Sequence, residues 1–244
     1  MSERHLFVAD VHLRREEVAK RDALIALIRR NARPGVHLYI LGDLFDLWIG
    51  SVQREIEPEW EPLFEAFKHF VDAGGKFTIF HGNRDYMMGD DLTRTLGAET
   101  VGGARTIDLD GRKVFLTHGD MLCTGDQLYH VARRVTRGPI ASILWSFFPL
   151  RWKVGFAEAY RHISGRQGRS RREARHGISR PMLRRLVRRG VDVVICGHIH
   201  EQTEHVFRHG GRELQVKTLA DWGTGGTVLE YVEGGFTLRT VDFA

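Results

Sequence analysis

The order of the elements predicted from the sequence indicates an α/β sandwich. Short apolar runs typical of buried strands alternate with amphipathic helices in the first third of the chain, and the C-terminal part is almost entirely strand-like. Segment 122–179 interrupts this rhythm, and we interpret it as a helical, basic cap inserted into a core of residues 1–121 and 180–244. A chain of 244 residues is long enough for one such domain.

Spacing and composition predict the individual elements. Apolar residues at helical spacing predict helices over 18–30 and 60–71, and the glycine pair at 74–75 ends the second helix. Apolar or alternating runs between turn residues predict the strands. These lie at 5–9, 36–41, 77–80, 106–109, 113–117, 191–196, 204–208, 214–218, 227–232 and 236–241.

The charge is unevenly distributed along the chain. The formal net charge is +5, yet segment 133–189 contains sixteen basic residues and two acidic ones, so the rest of the chain is acidic. Such asymmetry favours an anionic partner, which can be nucleic acid, an anionic membrane surface or a phosphorylated substrate. A solvated arginine-rich surface is the alternative.

The cysteines and the first residues bear on the compartment. The apolar run at the start is too short for a signal peptide, so we expect a cytoplasmic protein in which Cys123 and Cys196 are reduced thiols. One disulfide is the alternative. The sequence has neither a CxxC pair nor a P-loop, which argues against a thiolate zinc site and a Walker-type nucleotide site.

Five short motifs each begin at, or lie just beyond, the end of a predicted strand. They are Asp10-Val11-His12, Gly42-Asp43-Leu44-Phe45-Asp46, Gly82-Asn83-Arg84-Asp85, His118-Gly119-Asp120 and Gly197-His198-Ile199-His200. Strand ends are where open α/β sheets place ligand sites. Each motif alone is more often structural than functional, but their joint occurrence in this order is specific.

The motifs together supply a mixed set of oxygen and nitrogen donors. The candidate metal ligands are Asp10, His12, Asp43, Asn83, His118, His198 and His200. A set without thiolate suits Mn, Fe or Zn better than an all-oxygen Mg or Ca site. Seven ligands are too many for one tetrahedral ion but suit two, with Asp43 as the bridge. Two adjacent ions form the known clamp for in-line phosphoryl displacement, so the sequence predicts a two-metal phosphoesterase.

In this order, the five motifs resemble the calcineurin-like metallophosphoesterase superfamily, whose fold is a sandwich of two mixed β-sheets flanked by helices. The resemblance implies one ion held by Asp10, His12, Asp43 and His200, and another held by Asp43, Asn83, His118 and His198. It implies catalytic roles for Asp43, Asn83, Arg84 and His118. Many members have a histidine proton donor at the position of Arg84. Arginine cannot readily give up a proton, so a fixed cation that grips phosphate fits better here.

Longer blocks resemble the UDP-2,3-diacylglucosamine hydrolases of lipid A biosynthesis. These blocks are 41–46 with 48–50, then 81–85, then 117–120 with 122–124. The resemblance implies hydrolysis of the substrate pyrophosphate, by attack of a metal-activated water on the α-phosphorus, to UMP and 2,3-diacylglucosamine 1-phosphate (lipid X). It also implies two ions, expected to be Mn²⁺, and a peripheral location on the cytoplasmic face of the inner membrane. Implied substrate contacts are Trp48, Asn83, Arg84, Asp126, Arg161, Ser164, Arg171 and His198.

The chain departs from these hydrolases in two places. Ser51 and Val52 stand where acidic residues are expected, and the cap is unusually rich in arginine. Within the cap, residues 140–150 carry no charge and are flanked by cations. This run is too short to span a bilayer but suits an acyl chamber or a membrane contact; a cap helix packed on the core is the alternative.

Two other functions compete with the hydrolase reading. A nuclease or cyclic-nucleotide phosphodiesterase would use the arginines to hold a phosphate backbone. Such a protein is expected to have isolated stacking aromatics among cations, whereas this chain has an uncharged run. A scaffold that kept only the fold would not need the intact ligand set. We therefore expect a lipid substrate and an anionic membrane surface as partners, without nucleic acid or an obligate protein partner.

Overall fold

The computed structural model describes residues 3–48, 50, 54, 57–85, 87–88, 94–123, 149, 152, 155 and 178–243. The first half contains β1 (Arg4–Val8), α1 (Val18–Arg30), β2 (Val36–Ile40), a 3₁₀ turn (Pro58–Trp60), α2 (Glu61–Asp72), β3 (Lys76–Phe80), β4 (Glu99–Val101), β5 (Ala104–Leu109) and β6 (Arg112–Thr117). The second half contains α3 (Arg180–Arg188), β7 (Val193–His200), β8 (Thr203–His209), β9 (Arg212–Ala220), β10 (Gly226–Val232) and β11 (Gly235–Val241).

The strands form two mixed sheets. The six-stranded sheet has the order β11-β10-β1-β2-β3-β4, and the five-stranded sheet has the order β5-β6-β7-β9-β8. Strands β1 to β4 are parallel to one another, as are β6, β7 and β9, while the remaining pairs are antiparallel. Parallel strands end at the same edge of a sheet, so the loops that follow β1, β2, β3 and β6 can share one site.

Three apolar clusters hold the layers together. Strand alternation sends Leu6 and Val8 of β1 toward α1 and α2, whereas Phe7 faces the second sheet. The layer between the sheets joins Phe7 with residues such as Val193 and Ile195 of β7. The third cluster packs α3 against the outer face of the second sheet. This arrangement is the predicted sandwich of two mixed sheets with flanking helices, so the predicted fold class is confirmed.

Three elements differ from the sequence prediction. Strand β4 was not predicted, and neither was α3, although Ser179 caps α3 by accepting a hydrogen bond from the Met182 N–H. Strand β7 was predicted to end at 196 but continues to His200. Its pairing with β9 shifts register between Cys196 and His200, so the strand passes through the motif instead of ending before it.

The predicted cap lies almost wholly outside the described residues, so its helical character stays a prediction. Its two ends, however, are adjacent. Cys123 forms a β-bridge with Ile178, and the Ser179 N–H donates to the Leu122 carbonyl at 2.7 Å. Segment 124–177 therefore leaves and rejoins the core at one place. No helix in the described part of the chain is both long and apolar enough to cross a membrane.

Candidate metal centre

Backbone hydrogen bonds hold the ligand-bearing loops against one another. Two hydrogen bonds join the loop after β1 to the loop after β2. The Asp10 N–H donates to the Gly42 carbonyl at 3.2 Å, and the His12 N–H donates to the Asp43 carbonyl at 2.9 Å. In the second sheet, the Gly197 N–H donates to the His118 carbonyl at 2.9 Å. The predicted ligands therefore meet at one edge of the sandwich.

The first group of donor atoms surrounds Asp10. The Nε2 atoms of His12 and His200 lie 3.2 Å apart. The same Nε2 atoms lie 3.8 Å (His12) and 3.5 Å (His200) from Asp10 Oδ1. One donor atom from each of these three residues lies within 4.8 Å of the others, which is compact enough for one metal ion.

The second group surrounds His118. Its Nε2 lies 2.9 Å from Asn83 Oδ1 and 3.2 Å from His198 Nδ1. Asp43 connects the groups, because its Oδ2 lies 3.8 Å from both His118 Nε2 and His12 Nε2. Asp10 also falls within 4.8 Å of the Asp43 and His118 donors, which the sequence did not predict. All seven predicted ligands thus come together in two neighbouring groups.

The electrostatics of these groups fit divalent cations. Asp10, Asp43 and His118 are all buried. Asp10 Oδ1 and His12 Nδ1 are buried without a hydrogen-bond partner among the described residues. Burial tends to raise the pKa of Asp10, but His200, His118 and His12 outweigh it and hold that pKa below its usual range. Burial, followed by the charge of His118, lowers the pKa of His198 to about 4. Burial tends to lower the pKa of His200, but Asp10 and Asp221 outweigh it and raise that pKa to about 9. The buried carboxylates and the imidazoles beside them form a suitable mixed oxygen and nitrogen donor set for metal ions.

Most of these ligands have an unusual backbone conformation. Among the described residues, seven that are not glycine have a positive φ: Asp10, His12, Asp43, Asp110, His198, His200 and Glu233. Five of them are predicted ligands. A non-glycine residue in this region costs on the order of 1 kcal/mol or more, and such strain clusters at functional sites. The backbone conformation therefore marks the same edge as the donor atoms do.

Comparison with known proteins identifies the family. The family model described as calcineurin-like phosphoesterase matches residues 4–202. The chain belongs to this family. The predicted resemblance and the predicted phosphoesterase class are therefore confirmed, and members of this family use divalent metal ions.

Curated relatives are similar along nearly the whole chain. A UDP-2,3-diacylglucosamine hydrolase of Stenotrophomonas maltophilia is 34% identical over 244 residues, covering 97% of this chain and 98% of the relative. One from Pseudomonas syringae is 31% identical, covering 98% and 96%, and one from Serratia proteamaculans is 31% identical, covering 92% and 93%. The predicted resemblance to these hydrolases is confirmed.

Two further carboxylates contact the candidate metal centre of this phosphoesterase. Asp85 accepts hydrogen bonds from the backbone N–H groups of Leu44 (2.6 Å), Gly82 (2.9 Å) and Asp43 (3.3 Å), so it fastens the β2 and β3 loops together. Burial, followed by the charge of Asp43, raises the pKa of Asp85 to about 7. Asp221 is not among the predicted residues. Its Oδ2 lies 3.6 Å from His200 Nδ1, on the opposite side of that ring from Asp10. Its position just beyond a predicted strand was the signal that could have identified it.

The predicted substrate-binding residues have different positions. Arg84 lies beside the candidate metal centre with its side chain partly exposed, and its backbone N–H donates to Asp43 Oδ1 at 2.9 Å. Trp48 is buried, with its ring centroid 4.8 Å from Phe45 and 5.9 Å from Phe64. The structure places Trp48 in the core beside the α2 layer, and its contact with substrate stays a prediction. The other four predicted contacts lie outside the described residues: Asp126, Arg161, Ser164 and Arg171.

Proposed function

We propose that this phosphoesterase hydrolyses the pyrophosphate bond of UDP-2,3-diacylglucosamine and releases UMP and 2,3-diacylglucosamine 1-phosphate. The observation that carries the proposal is the convergence of two donor groups on Asp43, in a chain that resembles hydrolases of this name along nearly its whole length. The carboxylate, amide and imidazole ligands, without thiolate, suit a pair of divalent ions, and such a pair fits phosphoryl transfer.

The proposed site holds two divalent ions, with Mn²⁺ as the proposed metal. One ion is assigned to Asp10, His12, Asp43 and His200, and the other to Asp43, Asn83, His118 and His198. The equal distances from Asp43 Oδ2 to His12 and His118 support the bridging role. When bound, the ions lower the pKa of a water molecule and offset negative charge on phosphate.

Arg84 is assigned to the substrate phosphate. Its backbone N–H donates to Asp43, and its guanidinium offers hydrogen-bond donors but no acceptor. The proposed leaving group is itself a phosphate monoester, whose second pKa is about 6, so it departs as a stable anion. A fixed cation therefore serves this leaving group, and the proton-donating histidine of other family members is not needed.

The cap, residues 122–179, is proposed to bind the acyl chains, and the protein is proposed to act at the cytoplasmic face of an anionic membrane. Support for the membrane contact comes from α3. Its exposed arginines are Arg180, Arg184, Arg185 and Arg188, followed by Arg189. Among the described residues, no acidic side chain forms an ion pair with Arg184 or Arg188. Such a helix face favours an anionic surface.

The substrate assignment predicts a specific pattern of activity. With Mn²⁺, the purified protein should convert UDP-2,3-diacylglucosamine to UMP and the sugar 1-phosphate. Replacing Trp145 and Phe148, which lie in the uncharged run outside the described residues, by serine should raise KM for this substrate because apolar contact area is lost. The KM for bis-p-nitrophenyl phosphate, which needs only the metal centre, should change far less. Equal losses on both substrates would make the cap structural, and faster cleavage of single-stranded DNA or a cyclic nucleotide would favour the alternative function.

The membrane assignment predicts weaker vesicle binding when the charge of α3 is reversed. The double variant Arg184→Glu/Arg188→Glu should bind vesicles containing anionic lipid at least about 30-fold more weakly, since each lost cation removes about 1 kcal/mol near such a surface and each new carboxylate is repelled by it. The matched control is Arg29→Glu/Arg30→Glu, at the exposed end of α1. Cosedimentation with vesicles measures both. Equal losses in the two variants would indicate a general charge effect and remove α3 from the contact.

A further inference from the structure

A buried carboxylate at the rim of the metal centre holds two arginines. Arg84 Nη1 donates to Asp46 Oδ1 at 2.5 Å, and Arg14 Nε lies 3.3 Å from Asp46 Oδ2. The side chain of Asp46 is 6% exposed, whereas those of Arg84 and Arg14 are 22% and 48% exposed. One carboxylate therefore anchors two guanidinium groups that both reach solvent, and the trio keeps a net positive charge.

The trio is built from the same loops as the ligands. Arg14 follows His12 by two residues, and Arg84 directly follows Asn83. The Asp46 N–H donates to the Leu13 carbonyl at 3.0 Å, and the Leu13 N–H donates to the Leu44 carbonyl at 2.9 Å. These bonds place the start of the Arg14 loop against the β2 loop that supplies Asp43. Both arginines are thus held beside the candidate metal centre, because each is within two residues of a predicted ligand in a loop fixed by hydrogen bonds.

We propose that Arg14 and Arg84 form a two-cation site for the phosphate that is not attacked, and that Asp46 is the positioning residue for both. This inference rests on the proposed function, because a pyrophosphate brings two phosphates to the centre. Water supplies the oxygen of the new bond to the attacked phosphorus. The bridging oxygen leaves with the bonding electron pair on the sugar phosphate, and the protons of the water pass to the phosphate products or to solvent. The negative charge that appears on the leaving phosphate is the charge the two arginines would offset.

The donor capacity of the arginines fits this role. A guanidinium has five N–H donors, and the contacts with Asp46 use Nη1 of Arg84 and Nε of Arg14. Among the described residues, no other carboxylate forms an ion pair with Arg14 or Arg84. The remaining donors can bind phosphate oxygens, and planar arginine donors suit such anions. Without Asp46, the two cations would repel each other and lose their common orientation.

A matched pair of variants tests Arg14. Arg14→Gln should lower kcat/KM for UDP-2,3-diacylglucosamine about 10–100-fold, the loss expected for one charge-assisted bond, and should lower that for bis-p-nitrophenyl phosphate far less. Arg15→Gln is the control, because Arg15 is exposed and forms no ion pair with a described residue. Arg14→Lys should recover part of the loss. If Arg14→Gln and Arg15→Gln behave alike on both substrates, the Arg14–Asp46 contact is only a surface ion pair and the proposal fails.

A double-mutant cycle tests the positioning role of Asp46. Asp46→Asn should lower kcat/KM for the pyrophosphate more than for the small diester, with an unchanged melting temperature. Arg14→Gln should then cost little more in the Asp46→Asn background, because the two residues act together. Fully additive losses would overturn the positioning role. If the unaltered enzyme leaves the lipid intact but cuts UDP-glucose, the proposed function fails. The Arg14 and Asp46 variants are then compared by their kcat/KM for UDP-glucose. If it cuts neither, both proposals fail.

Discussion

Replacing Asp43 by alanine is expected to abolish hydrolysis while leaving the fold largely intact. Asp43 Oδ2 lies between the two donor groups, and removing it takes away the proposed shared ligand of both ions. We expect two ions per chain in the unaltered protein and at most one in the variant, measured by elemental analysis after gel filtration. A variant that kept more than about a tenth of the rate would contradict the role, since a tenfold loss is only about 1.4 kcal/mol of barrier.

Asp110 offers a matched control for this experiment. Its φ of 51° is nearly the same as the 52° of Asp43, but Asp110 lies in the β5–β6 hairpin and accepts a hydrogen bond from Tyr231. Any change in stability from placing alanine in a left-handed conformation therefore appears in both variants. Asp110→Ala should retain both ions and nearly the full rate. An equal loss of activity in the two variants would indicate a folding defect instead of a lost ligand.

Gly197→Ala is expected to damage the centre severely without removing any ligand. A Cβ atom on Gly197 would lie 2.6 Å from the Ala9 Cβ and closer still to Asp10 Oδ2, the atom that accepts the His198 N–H. The chain must shift to relieve this overlap, which typically costs 1–3 kcal/mol and corresponds to a melting temperature lowered by about 2–12 °C in a chain of this size. The metal content and the activity of Gly197→Ala should also fall.

Gly223→Ala provides the comparison, because a Cβ there meets nothing within 4 Å. Differential scanning calorimetry and metal analysis should find this variant close to the unaltered protein. If Gly197→Ala kept the original melting temperature and both ions, close packing of β7 against the Asp10 loop would not be what fixes the centre.

Much of the fold follows from local pattern. Helices α1 and α2 and most strands have clear periodicity, so their predicted ranges agree with the structure. Strand β4 has only three residues, too few for a periodic signal. Helix α3 was not predicted, because arginines dominate its sequence and leave few apolar residues. Its buried residues Leu183, Leu186 and Val187 nevertheless have the spacing of a buried helix face.

The site was predictable to the extent that its residues lie in short motifs. The seven candidate ligands each follow or lie within a strand near its end, and the structure brings all of them together. Contacts between distant residues left no such signal. Arg14, Asp46 and Arg84 meet only because the loops after three parallel strands adjoin, and the extra approach of Asp10 to His118 depends on how the two sheets pack.

The adjacency of Leu122 and Ser179 has a consequence for the evolution of specificity. A segment that starts and finishes at two hydrogen-bonded neighbours can change length or composition without altering the register of β6 or the start of α3. Lineages can therefore change residues 124–177 while inheriting the same core. Exchange of this segment between relatives is the natural route to chimeric enzymes, because only one junction has to be preserved.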